Sequence, residues 1–339
     1  MKRRAFFNGG LCLAVFGLAC LIYHALLPFP DMAEVRTKLD YFSRHRGEFD
    51  AVFIGSSRIY HQVLPELFDR TAQEGGRKIR SFNFGIDALV PPESFYIVDK
   101  ILEHKPPGLR WVFVELYPLS AQIDSGERGT AREVYWHDWE RTRWACRRAA
   151  ESFDAPAPSQ RAAARELVAV HCRLLLKNYA NIGRGFDWMK YRKHKKSGRW
   201  LAQELGPKLD GYLPNPDKPQ TAAFREGMGK LTAKLLKNRG KEVNADSLTE
   251  QAFAGIAGRI KAANAAPVFV IAPTATKLPA YFAGREAPAP VLVFNAPDLF
   301  PALYRVGNRH DYDHLNAAGA AEFTRLLAER FAASLDGRK

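Results

Sequence analysis

Phe49-Asp50-Ala51-Val52-Phe53-Ile54-Gly55-Ser56-Ser57-Arg58 decides the fold. Its apolar run is short, continuous and β-favouring, and it stops abruptly at a glycine, as a strand buried on both faces does. Working outward, Ile79 to Phe84 is a second strand, ended by Gly85. Pro91-Pro92-Glu93 opens a helix through Leu102, with Phe95, Val98 and Leu102 at helical spacing. Trp111 to Val114 is a third strand, Pro267 to Ile271 a fourth and Val291 to Phe294 a fifth. Asn316 is placed to cap a last helix carrying Phe323, Leu326, Leu327 and Phe331 on one stripe. Strands alternating with helices predict an α/β fold, a parallel sheet covered on both faces.

The chain has 339 residues, 47% hydrophobic and 25% charged, which excludes a disordered protein, a collagen-like fibre and a polytopic transporter. Four cysteines are too few for a disulfide-built miniprotein. Lys plus Arg exceed Asp plus Glu by 50 − 36 = 14. Most of that excess lies in residues 121–240, which hold 24 basic and 13 acidic residues, a net +11. There the strand pattern breaks, so residues 120–250 are read as a helical, basic insertion between strands three and four, with Arg161 to Ala180 helical and Arg192-Lys193-His194-Lys195-Lys196 its most basic run. The run is a solvated face, an electropositive wall beside the site, or a surface for anionic lipid. Five of the six tryptophans (Trp136, Trp139, Trp144, Trp188 and Trp200) fall in the insertion, as core or as sugar-stacking platforms. Cys146 and Cys172 either pair across 25 intervening residues or remain buried free thiols.

Met1-Lys2-Arg3-Arg4 precedes Ala5 to Leu27, 23 residues without Asp, Glu, Lys or Arg. As a helix this run rises about 34 Å, enough for a hydrocarbon core of about 30 Å. It is longer than the apolar region of a cleaved signal peptide, and no small-x-small site follows Ala19-Cys20. The expectation is residues 1–30 as an uncleaved single-pass anchor in a bacterial cytoplasmic membrane, ending at Pro28-Phe29-Pro30, and residues 31–339 as a domain in the periplasm. Nucleic acid is not expected as a partner.

Chemistry gathers where ligands bind in such sheets, at the carboxyl ends of the strands. Ser57 follows the first strand at a strand-to-helix turn, and Gly85 follows the second. His310-Asp311-Tyr312-Asp313-His314-Leu315-Asn316 precedes the last helix. A loop histidine held by a carboxylate three residues earlier suits a base for a serine. Asp313 is expected to face solvent. Arg58 is read as a substrate-binding cation or an ion-pair partner, and Asn83 as a substrate contact unless strand alternation turns it away. The His and Cys residues show no metal-ligand spacing, and no cofactor is implied.

Together, Gly-Ser-Ser after strand one, glycine after strand two and Asp-x-x-His-Leu-Asn before the last helix resemble the SGNH/GDSL hydrolase superfamily. The likeness covers roughly residues 48–118 and 265–333. With its single anchor the chain is most similar to membrane-anchored members, such as the D-alanine-transfer proteins of teichoic acid modification and the periplasmic alginate O-acetyltransferases. The resemblance implies a three-layer, flavodoxin-like sheet, with Ser57 as nucleophile, His314 as base and Asp311 orienting it. It also implies an oxyanion hole from the Ser57 and Gly85 N–H groups. The chain departs from the family after strand three, where an oxyanion-hole Asn is replaced by Glu115-Leu116-Tyr117-Pro118-Leu119-Ser120. The implied activity is acyl-ester hydrolysis or O-acyl transfer on an acylated envelope or exported polysaccharide. The alternative is a catalytically idle scaffold that binds glycan or docks an integral-membrane acyltransferase.

Overall fold

The computed structural model describes residues 2–27, 32–186, 189, 200–216 and 218–336. The juncture Pro28-Phe29-Pro30, the run Arg192–Lys196 and Trp188 lie outside the described residues. Two compact units make up the chain: a sheet unit of Thr37–Leu119 and Arg199–Lys339, and a helical unit of Met1–Arg36 and Ser120–Gly198. The expected insertion thus divides at residue 198, and its remainder belongs with the sheet.

Five parallel strands form the sheet: β1 (Ala51–Gly55), β2 (Ser81–Gly85), β3 (Trp111–Glu115), β4 (Ala266–Ile271) and β5 (Val291–Val293), in the order β2-β1-β3-β4-β5. This is one of the two common doubly wound orders. Side chains alternate between two buried faces. On one, Phe53 and Phe113 stack 4.4 Å apart and meet Phe68 of α4 (Pro65–Glu74) and Phe331 of α13 (Ala317–Asp336). On the other, Phe269 meets Phe253 of α11 (Ser247–Ala262), which meets Phe95 of α5 (Glu93–Glu103). All seven aromatics are no more than 1% exposed; each contributes about 1.5–3 kcal/mol by burial. Asn316 caps α13, its Oδ1 accepting from the Gly319 N–H at 3.0 Å.

Register aligns the strand ends. Gly55 pairs with Gly85, and Ile54 with Val114, so the segments after β1, β2 and β3 leave the sheet at one level. α3 (Ser57–Tyr60) starts there. The unit is completed by α2 (Ala33–His45), which straddles the unit boundary, and by α9 (Trp200–Leu205), α10 (Ala222–Lys237) and α12 (Pro301–Tyr304).

The helical unit holds α1 (Lys2–Leu26), α6 (Arg132–Tyr135), α7 (Trp139–Ala150) and α8 (Pro158–Tyr179). Within α1, Arg4–Leu26 is long and apolar enough to cross a membrane. α7 packs on α8. Its core is partly polar: the His137 Nε2–H donates to His171 Nδ1 at 2.8 Å, and the His171 Nε2–H to the Ala121 carbonyl at 2.8 Å. Trp136 is buried and stacked on His137, whereas Trp139 is exposed. Cys146 and Cys172 are free thiols but not buried ones, Cys172 being exposed and Cys146 half-buried, and partial burial pushes the Cys146 thiol up to about 11.

Candidate active site

Ser56 stops β1 and caps α3. Its φ of −75° and ψ of −168° are extended, and its Oγ accepts from the Arg58 N–H. This turn puts Ser57 at the first helical position, where its N–H has no intrahelical partner and makes no hydrogen bond among the described residues. Ser57 Oγ lies 2.7 Å from His314 Nε2 across 257 positions of sequence. On the ring's other side, His314 Nδ1 is 2.9 Å from both Asp311 carboxylate oxygens.

The three-residue spacing works because Asp311 folds its own loop. Oδ1 accepts the N–H groups of Asp313 and His314, both at 2.8 Å, which turns the carboxylate back beneath the ring. The His310 N–H closes the turn on the His314 carbonyl. Burial pushes the Asp311 carboxyl up, but the hydrogen bond and charge of His314, with the two amides, hold it well below the usual carboxylate range.

Two expectations change, and two alternatives left open by the sequence are decided. Asp313 does not face solvent: its Oδ1 accepts from the hydroxyls of Thr274, at 2.5 Å, and Thr276, at 2.8 Å. Burial works to raise its pKa; those hydroxyls and the charges of Arg58 and His314 outweigh it. Of the two readings of Arg58 the ion pair holds, though buried rather than at the surface: the side chain is 7% exposed, pairs Nε to Glu115 Oε1 at 2.7 Å and lies 4.6 Å from the Tyr117 ring. Asn83 is turned away from any ligand. It is fully buried, donating from Nδ2 to the carbonyls of Ile59 and Val63, both at 2.7 Å. The Gly85 N–H donates to Asn83 Oδ1 at 2.8 Å, so it is engaged inside the protein rather than open to an oxyanion. Gly85 is required by close approach instead: a Cβ there would lie 2.2 Å from the Tyr60 nitrogen.

Sequence reading passed over four supporting residues. Glu115, at the end of β3, accepts the Ser56 N–H through Oε2 at 2.7 Å while holding Arg58 through Oε1. One buried carboxylate therefore fixes the residues on either side of Ser57. Lys38 is fully buried; its Nζ donates to the carbonyls of Gly85 at 2.6 Å and Gly211 at 2.9 Å and sits 3.6 Å from the Tyr60 ring centre. Those contacts offset the cost of burying an ammonium. A signal existed, since Lys38 lies at helical spacing from the buried Val35 and Phe42. His61 places Nδ1 2.7 Å from the Leu213 carbonyl and Nε2 3.0 Å from Asp87 Oδ1. Asp87 is half exposed. Burial acts to raise its pKa; the His61 hydrogen bond, with the charges of His61, His314 and Lys38, lowers it on balance.

The arrangement joins a hydroxyl to an imidazole to a carboxylate, with one unengaged N–H at the hydroxyl's own residue. Such a chain can raise the nucleophilicity of the hydroxyl by drawing its proton onto the ring. Among the described residues, no group of three or more His, Cys, Asp or Glu side chains is placed to hold a metal ion. The chain matches no protein-family model and no curated protein.

Proposed function

We propose that this chain is a serine acyl-ester hydrolase or O-acyltransferase of SGNH/GDSL type, anchored in the cytoplasmic membrane by α1, with an acylated envelope or exported polysaccharide as substrate. One observation carries the reading: Ser57 Oγ, His314 Nε2 and Asp311 in unbroken hydrogen-bond contact at the strand ends. Ser57 attacks the ester carbonyl as His314 takes its proton; Asp311 fixes the imidazole tautomer and stabilises the imidazolium. His314 returns the proton to the leaving alcohol. Water or a sugar hydroxyl then accepts the acyl group from Ser57. The Ser57 N–H supports the oxyanion. Each missing donor costs about 2.7–4 kcal/mol of transition-state stabilisation, so a site without the family Asn and without the Gly85 N–H turns over slowly unless substrate groups contribute. Support for the membrane setting comes from the apolar run of α1 and from Lys2, Arg3 and Arg4 at its start.

The same deficit of donors favours a second reading, a non-catalytic scaffold that binds glycan or docks an integral-membrane acyltransferase. Hydrolysis of an aryl acetate and of an O-acetylated polysaccharide, with and without a sugar acceptor, separates the two. Activity that falls by about 10⁴-fold or more in Ser57→Ala, with unchanged unfolding temperature, supports the enzyme; equal rates in both proteins support the scaffold.

A further inference from the structure

Unit by unit, the exposed large apolar side chains are distributed unevenly. In the sheet unit they are scattered: Leu209, Leu236, Val243, Leu299 and Tyr312. In the helical unit, beyond α1, four of them fall between residues 176 and 189: Leu176, Ile182, Phe186 and Met189, between 54 and 71% exposed. Such a concentration calls for a partner, whereas scattered singles do not.

The same stretch is tied to the far end of α1. Asn181 Nδ2 donates to the Cys20 carbonyl at 2.9 Å, an Arg184 guanidinium N–H to the Leu27 carbonyl at 3.5 Å, and Tyr179 stacks on His24 at 5.1 Å. Gly17, Cys20, His24 and Leu27, at helical spacing, are part-buried, while most of α1 is exposed. Cys20 and Leu27 are seven positions apart, a depth of about 10 Å at the helical rise. If Arg4–Leu26 crosses a bilayer, Tyr179, Asn181 and Arg184, which touch α1 between Cys20 and Leu27, therefore lie at the outer edge of its hydrocarbon and the headgroup zone. Lys177 lies within the stretch, and basic residues of interfacial helices reach lipid phosphates.

We propose that residues 176–186, together with Met189, form a second membrane contact, with Leu176, Ile182, Phe186 and Met189 inserted in the outer leaflet beside α1 and Lys177 at its phosphates. This rests on the anchor reading of α1. The test uses the full chain reconstituted in vesicles of phosphatidylethanolamine and phosphatidylglycerol, with the photo-crosslinker p-benzoylphenylalanine replacing one exposed residue at a time. Phe186→benzoylphenylalanine and Ile182→benzoylphenylalanine are expected to give lipid adducts on irradiation, as Phe16→benzoylphenylalanine within α1 does, while Val243→benzoylphenylalanine gives none. An adduct at 16 without one at 182 or 186, or protein adducts there in place of lipid, overturns the second contact and leaves the anchor standing. No lipid adduct at 16 overturns the anchor, and the second contact with it.

Discussion

The sheet unit and the helical unit solve burial in opposite ways. The first fills both faces of its sheet with phenylalanines and keeps its buried charges paired or solvated by carbonyls, as with Arg58–Glu115 and Lys38. The second buries a pair of neutral histidines and leaves large apolar side chains outside. An aqueous domain is built the first way. Apolar surface on the outside suits an apolar neighbour, and in the helical unit it adjoins the helix that, among the described residues, is long and apolar enough to cross a membrane. Position matters as much as composition: Ser57, His314 and Asp311 meet at strand ends that register aligns, on the unit whose core is filled with phenylalanines.

The sharpest way to break this comparison is to disable the orienting carboxylate alone. Asp311→Asn keeps the shape and the loop hydrogen bonds but favours the wrong imidazole tautomer, and acyl transfer is expected to fall about 10⁴-fold. His171→Asn in the helical unit leaves it unchanged. Matched losses in the two variants, measured by aryl-acetate hydrolysis, would mean that the units do not divide the work in this way.

Glu115→Ala comes next. It strands Arg58 in the interior and removes the acceptor of the Ser56 N–H, at a cost of about 3–5 kcal/mol. Urea unfolding is expected to show that loss, whereas a change below about 0.5 kcal/mol, the range of ordinary surface substitutions, would show that the pair is dispensable.

The smallest effect concerns pH. Burial, and for His137 also the charge of His171, hold both histidines below their ordinary pKa near 6.5. As pH falls below 6.5 the unfolded chain binds protons that the folded unit does not. Stability present above 6.5 is then lost, by up to about 1.4 kcal/mol per pH unit for each group. In the sheet unit burial raises the Asp69 carboxyl to about 6; there the folded state binds the proton first, and stability rises as pH falls from 6 toward 4. Hydrogen exchange corrected for intrinsic rates should show α7 and α8 losing protection between pH 6.5 and 5 while β1 and β2 do not. Parallel loss in both units would contradict the assignment.

Much of the sheet unit was legible because its strands are unbroken apolar runs stopped by glycine, and because a catalytic-type serine and an Asp-x-x-His loop carry local signatures. Long-range partners were not legible. Nothing local marks Glu115 as the residue that holds both Ser56 and Arg58, since that contact exists only once β3 lies beside β1. The engagement of Gly85 was not legible either: its N–H donates to Asn83 Oδ1 two residues away, and the Asn83 amide is held in turn by the carbonyls of Ile59 and Val63. The division of the insertion at residue 198 was equally hidden, because basic composition runs through both parts while Asp210, in the second part, gives its carbonyl to the Asn83 N–H of β2 and Gly211 gives its carbonyl to Lys38.

The central claim is that Ser57 is a nucleophile activated by His314. It is tested most directly by treating the full chain in detergent with a fluorophosphonate and mapping the adduct by peptide mass. The account predicts one phosphonylated residue, Ser57, formed in wild-type protein and lost in both Ser57→Ala and His314→Ala. No adduct on Ser57 in a folded wild-type protein, or an adduct that forms as fast in His314→Ala, would contradict it.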